Sequence, residues 1–339
     1  MENKEVAEVE TQVMAALKIE ATGIEPIPAY ARTQSNIIEN FTFWASCNTV
    51  IPTFALGTLA INVFYMGFWD AVATIFFFNL MSSLCVALFS SMGPKLGLRQ
   101  MILTRYSFGW YGSILISLIN IVISVGWSTV NVVVGGQVLN GINGGALPVW
   151  AGVVIIAVLT TFLAVWGYHY IHKYDKFAFL PIAISFIICF GVSVGQWDTS
   201  APALSTPVAS ILSFGGAIFG FGAGWTTMAA DYSVFQPADS TTWKVFVYTF
   251  LGNIIPLTLT EVMGVGVASA AKMHKPQWEA ENGGAILSKV LLDTCGQGFG
   301  SFLLVLLSLS IIAAVFKSST CCLDFLGSYS LHCIGDSVD

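Results

Sequence analysis

Eight stretches of the chain are long and apolar enough to cross a bilayer, and no other feature limits the possible folds as severely. They cover residues 41–65, 70–91, 107–138, 148–168, 177–195, 209–230, 244–268 and 298–316. A membrane helix needs about 20 such residues, and a single segment in lipid satisfies its backbone only as a helix. The third stretch is long enough to be tilted. Short linkers join most of the stretches, so they form one all-α polytopic membrane domain, 41–316. Composition agrees, with 55% hydrophobic and 9% charged residues in 339, where a soluble domain is about 25% charged. So few charges cannot cover a water-facing surface.

The ends differ from this domain. Residues 1–40 hold seven Glu against Lys4, Lys18 and Arg32. They lack the apolar core of a signal peptide and read as a disordered tail. The net charge of −6 comes without any basic patch to neutralise phosphates, which excludes a nucleic-acid partner. The seven cysteines show no CxxC pairing, so neither a disulfide framework nor a metal site is expected.

Lysine and arginine placement orients the spans. Lys95, Arg99 and Arg105 fall between the second and third spans, and Lys173 and Lys176 between the fourth and fifth. Linkers 139–147 and 196–208 carry neither residue type. The alternation puts the N-terminus and the basic linkers in the cytoplasm. Linker 269–297 resists it, with Lys272, Lys275 and Lys289; within it "GGAILSKVLLDTCG" reads as a short amphipathic helix lying at the surface.

Two spans contain helix breakers. In the first, "SCNTVIPTFALG", Pro52 removes an amide donor, and Ser46, Asn48, Thr49 and Thr53 can re-satisfy the backbone. In the sixth, Gly215, Gly216, Gly220, Gly222 and Gly224 fall within ten residues. Such density permits unwinding and close backbone approach, or tight helix packing through small residues. Breaks in spans one and six mean that a five-helix unit restarts at the sixth. Interrupted helices at corresponding places in two halves point to an inverted-repeat (5+5 helix) transporter. Its site then lies at the two breaks, with the third span alongside.

On that third span Trp127 and Asn131 sit four residues apart, on one helix face. Trp225 follows the glycines of the sixth. Two indoles across a cavity can sandwich a flat ring, each contributing about 1–3 kcal/mol. The Asn131 amide offers both a donor and an acceptor, the chemistry for reading the edge of a purine or pyrimidine. The alternatives are an interfacial aromatic belt and an asparagine joining two helices.

The stretches "GPKLGLRQMILTRYSFGW", "GWSTVNVVVGGQVL", "GFGAGWTTMAADYSVFQP" and "GFGSFLLVLLSLSIIA" resemble the nucleobase–cation symporter-1 family, in its fungal purine–cytosine permease branch, over roughly residues 30–313. The resemblance implies two inverted five-helix repeats and two further helices, with a base held between Trp127 and Trp225 and paired to Asn131. Gly222 and Gly224 accompany that site, and Thr53 or Thr49 contributes from the broken first span. It also implies proton symport of a nucleobase (cytosine, adenine, guanine or hypoxanthine) at the plasma membrane, with no organic cofactor. Family members carry asparagines just after the stretch matching "LSLSIIA"; here there is none after Asn282. Residues 317–339 are therefore expected to be an aberrant tail, and the chain to be truncated after about eight spans. A fragment unable to transport is the alternative this raises, as is a permease for a related heterocycle.

Among ionisable residues, Glu261 in the seventh span is the clearest intramembrane carboxylate, and such groups default to functional hypotheses; a gating or structural role is expected. Asp231, at the end of the sixth span, could pair with Arg99 or Arg105. His169 and His172 read as solvated. A membrane enzyme would need a nucleophile with its base or an HExxH-type ligand set, and the sequence contains neither. A receptor would need a soluble output domain, and neither tail provides one.

Overall fold

The computed structural model describes residues 26–32, 34, 36–166, 168–200, 208–311 and 315, with only the backbone course for 163–178. All eight apolar stretches are mainly helical where they are described. Among the described residues five helices are long and apolar enough to cross a membrane, and a bent pair forms a sixth span. Val149–Phe162 and Gln297–Ile311 are shorter apolar helices.

The first span is the bent pair, α1 (Ile37–Asn48) and α2 (Ile51–Asn62), with 52° between the halves. The Asn36 side chain caps α1 by accepting from the Ile38 amide. At its other end Val50 is extended, at φ −136° and ψ 158°, and Pro52 stands in the first turn of α2. A proline there has no amide to leave unpaired, so it starts a helix as readily as it ends one.

The second span is α3 (Phe68–Ser90), followed by a single turn, α4 (Gly93–Leu96). The helical run of the third span, α5 (Gln100–Ile142), begins well before residue 107. It is two helices meeting at Gly109, whose φ of 69° and ψ of −178° are open only to glycine. Beyond this corner the helix runs on to Ile142, longer than the bilayer requires. The fourth and fifth spans are α6 (Val149–Trp166) and α7 (Tyr168–Ser193). His169, His172, Lys173 and Lys176 lie where only the backbone is described.

The sixth span comprises α8 (Val208–Ala223), a 3-10 segment (Gly224–Met228) and α9 (Ala229–Ser233). The seventh is α10 (Thr242–Met273). It is the central post, with 72% of its apolar window buried against 22% for the third span. It packs on α1, α2 and α3. Gly57 of α2 meets the Glu261 backbone and Gly264 of α10 meets the Phe54 carbonyl, with no room for a Cβ at either. Polar side chains tie the post to its neighbours: Asn40 donates to Thr249, Asn48 to Asn253 and Asn79 to Glu261. Bonds of this kind in lipid are worth about 0.6–2 kcal/mol each.

Helix α11 (Gly283–Cys295) is the short helix expected in linker 269–297, and its apolar side packs on the bundle. Its Ile286, Leu287, Val290 and Leu291 are fully buried. Gly283 presses on Ala55 of the first span and Gly284 on Val134 and Gln137 of the third. Its apolar face is covered by the bundle. Within the stretch 1–40 expected to be disordered, some described residues are tied to the bundle: the buried Ile27 donates its amide to the Gly97 carbonyl, Arg32 donates to the Ile27 and Pro94 carbonyls, and α1 begins at Ile37. Residues 1–25 and 316–339, which include the C-terminal tail, lie outside the described residues.

Candidate functional site

The two breaks and the middle of the third span line one partly open cavity. Cys47 and Val50 line it from the first break, and Gly224, Trp225 and Met228 from the sixth, beside Phe221. The third span contributes Ile123, Ser124, Trp127 and Asn131. Local geometry explains this convergence. The extended Val50 turns the chain out of its helix just where the cavity wall passes. The 3-10 winding of 224–228 then brings Gly224 close under Trp127, with a Cβ at that position falling 3.3 Å from Nε1.

Both indoles are half-buried and fixed in orientation by another ring. Phe221 stands edge-on to Trp127, at 4.9 Å and 82°. Trp44 stands edge-on to Trp225, at 6.1 Å and 83°, within a cluster that includes Phe43 and Tyr232. Asn131 is buried, at 7% exposure, and its amide makes no hydrogen bond among the described residues. Because Asn131 borders the cavity, that amide is open to a ligand there.

The other candidates fall elsewhere. Gly222 turns away from the cavity and abuts Ser82 and Leu257, the packing role glycine also allowed. Thr49 spends its hydroxyl on the Ala45 carbonyl, one turn back in α1. Thr53 is fully buried outside the cavity wall, with its hydroxyl unpaired. Glu261 is buried in the seventh span; one carboxyl oxygen accepts from Asn79 at 2.6 Å and the other has no partner. Asp231 accepts from the Gln100 backbone amide at 2.6 Å, while the Gln100 side chain accepts from Ala230. That reciprocal clasp joins the end of the sixth span to the start of the third, immediately after Arg99. Among the described residues no three His, Cys, Asp or Glu side chains converge.

At the first break the sequence points to Thr49 and Thr53, and the residues lining the cavity there are Cys47 and Val50. Ser124 was also passed over, although its spacing of three from Trp127 and seven from Asn131 puts it on their face.

Helices interrupted at a shared cavity, in a bundle whose faces are largely apolar, have the architecture of a multi-pass membrane transporter. The family described as permeases for cytosine/purines, uracil, thiamine and allantoin matches residues 26–325. The chain belongs to that family. Purine-cytosine permease fcyB of Emericella nidulans is 38% identical over 308 residues, which are 89% of this chain and 60% of that protein. Purine-cytosine permease FCY21 of Saccharomyces cerevisiae is 40% identical, over 89% of this chain and 58% of its own length. The vitamin B6 transporter TPN1 of the same yeast is 30% identical, over 88% and 53%. This chain thus spans less than two thirds of these curated relatives. Among solved structures, Mhp1, a nucleobase-cation-symport-1 family transporter in a closed conformation with bromovinylhydantoin bound, superposes with a TM-score of 0.66. At 12% identity over 88% of this chain and 67% of that one, this is a likeness of fold.

Proposed function

We propose that the chain carries the substrate site of a secondary permease for purine and cytosine bases, with the ring stacked between Trp127 and Trp225. Asn131 pairs with the ring edge, and Gly224 keeps the floor of the cavity low enough for the ring to enter. The observation that carries this reading is the single cavity joining both helix breaks, walled by two braced indoles and an unpaired amide. The purine-cytosine permeases among its relatives support the choice of ligand. In this reading a proton is the coupling ion, and the basic end bearing Lys95 and Arg99 faces the cytoplasm at the plasma membrane. Glu261 and the Asp231 clasp serve gating or coupling, and no covalent chemistry is involved.

Binding of labelled cytosine and adenine to membranes carrying the chain tests the site. Trp225→Ala removes one stacking face worth about 1–3 kcal/mol, a ten- to hundredfold loss of affinity. Unchanged affinity would contradict stacking. For coupling, labelled cytosine accumulation should collapse with a protonophore and persist without sodium; a sodium requirement would overturn the assignment. The relation to a vitamin B6 transporter favours a second reading, a permease for another flat heterocycle. In that case pyridoxine would displace labelled ligand better than cytosine does.

A further inference from the structure

Resting on the reading of this cavity as a nucleobase site, we propose that Ser124 is a second specificity-determining residue, holding the ring edge opposite the one that Asn131 reads. Ser124 lines the cavity, is 3% exposed, and its Oγ has no hydrogen-bond partner among the described residues. This sets it apart from most buried serines on the spans. Ser113 on the same helix donates to the Trp110 carbonyl one turn back, and Ser185, Ser288 and Ser308 bond in the same way on their own helices. A serine in a helix has that local acceptor within reach, and Ser124 does not use it. Asn120, one turn earlier, also has an unpaired oxygen but is not part of the wall. Ser124 is thus the last polar group before the helix leaves the cavity.

The spacing fits a ring. Ser124 and Asn131 are seven residues apart, so they lie on nearly one azimuth and roughly 10.5 Å apart along the axis, with Trp127 between. Two hydrogen bonds of about 2.9 Å, one at each end, leave roughly 5 Å between them. That gap accommodates a six-membered ring carrying polar substituents at positions 1 and 3 to each other. Cytosine, with its exocyclic amine and its carbonyl, has this arrangement. A serine hydroxyl donates and accepts, so it takes either kind of substituent, while a ring polar at one edge alone leaves it unpaired.

The test uses the purified full chain in lipid nanodiscs, with three probes: cytosine, 4-aminopyrimidine (no carbonyl) and 2-hydroxypyrimidine (no amine). In the unaltered chain cytosine should bind about tenfold tighter than either analogue. Ser124→Ala should erase one of those two preferences and keep the other, and Asn131→Ala should show the reverse pattern. Trp127→Ala should weaken all three probes alike. If Ser124→Ala leaves every affinity unchanged, or lowers all three by one factor, the assignment of Ser124 is overturned while the Trp127 result still upholds the nucleobase site. If Trp127→Ala also changes nothing, or no probe binds the unaltered chain, the underlying reading falls and the proposal with it. Thermal stability is measured for each variant; a serine that merely supports the fold would lower it without separating the probes.

Discussion

The first and sixth spans are interrupted by different chemistry, though both breaks open on one cavity. In the first, a proline two residues beyond an extended valine starts a new helix, and the axis turns by 52°. In the sixth there is no proline. Five residues tighten into a 3-10 turn, and Val208–Ser233 runs on as one span. Pro52 has no amide to donate to the last turn of α1, which disfavours fusing the two halves into one helix. A glycine-led 3-10 turn keeps its donors and can rewind, its form set by what packs on it. The first break is thus the fixed wall and the sixth the adjustable one. Their surroundings agree. Asn48, at the end of α1, is tied to Asn253 of the central post, whereas Gly224 and Trp225 face the cavity.

The largest way to break this contrast is to fill the adjustable wall. Gly224→Leu drives a side chain into Trp127, so cytosine binding should fall by more than about a hundredfold, the loss of both stacking faces. Near-normal binding would place the ligand elsewhere. Pro52→Ala attacks the fixed wall more gently. An amide donor returns, α1 and α2 can fuse through Thr49 and Val50, and binding should weaken by about tenfold. A bend and an affinity that both survive would show that neighbouring packing, and not the proline, holds the first break. The smallest binding effect belongs to Gly222→Ala. Its Cβ would meet Ser82 Oγ 2.3 Å away, which should cost about 1–3 kcal/mol of stability through overpacking. A thermal melt should shift downward while cytosine affinity stays within about twofold. An affinity loss without a melting shift would return Gly222 to the site.

The spans and both breaks were legible in the sequence because each rests on a local rule: hydropathy over about 20 residues, a proline that cannot donate, glycines that permit winding. That Trp127, Asn131 and Trp225 share one cavity was legible as well, since an indole and an amide within an apolar run stand out from their surroundings. What stayed hidden depends on partners distant in sequence. Gly109 is one glycine among serines and aromatics, and nothing around it marks it as the corner of α5. The amphipathic pattern of α11 shows that one face is covered, without saying whether lipid or protein covers it; Ala55 and Val134 decide that. At the first break, polarity selected Thr49 and Thr53, but an extended residue exposes backbone whatever its side chain, and so Val50 lines the cavity. Asp231 was matched to arginines by charge, while its carboxylate also fits the helix start at Gln100, where amides lack helical partners.

In the proposed site one flat ring bridges the third span and the sixth break, and a cryo-EM structure of the chain with cytosine bound is the decisive test. Density for the ring is expected between the Trp127 and Trp225 indoles, with Asn131 within about 2.7–3.2 Å of its edge. Ring density outside this cavity, or beside only one of the two indoles with Asn131 turned away, would contradict it.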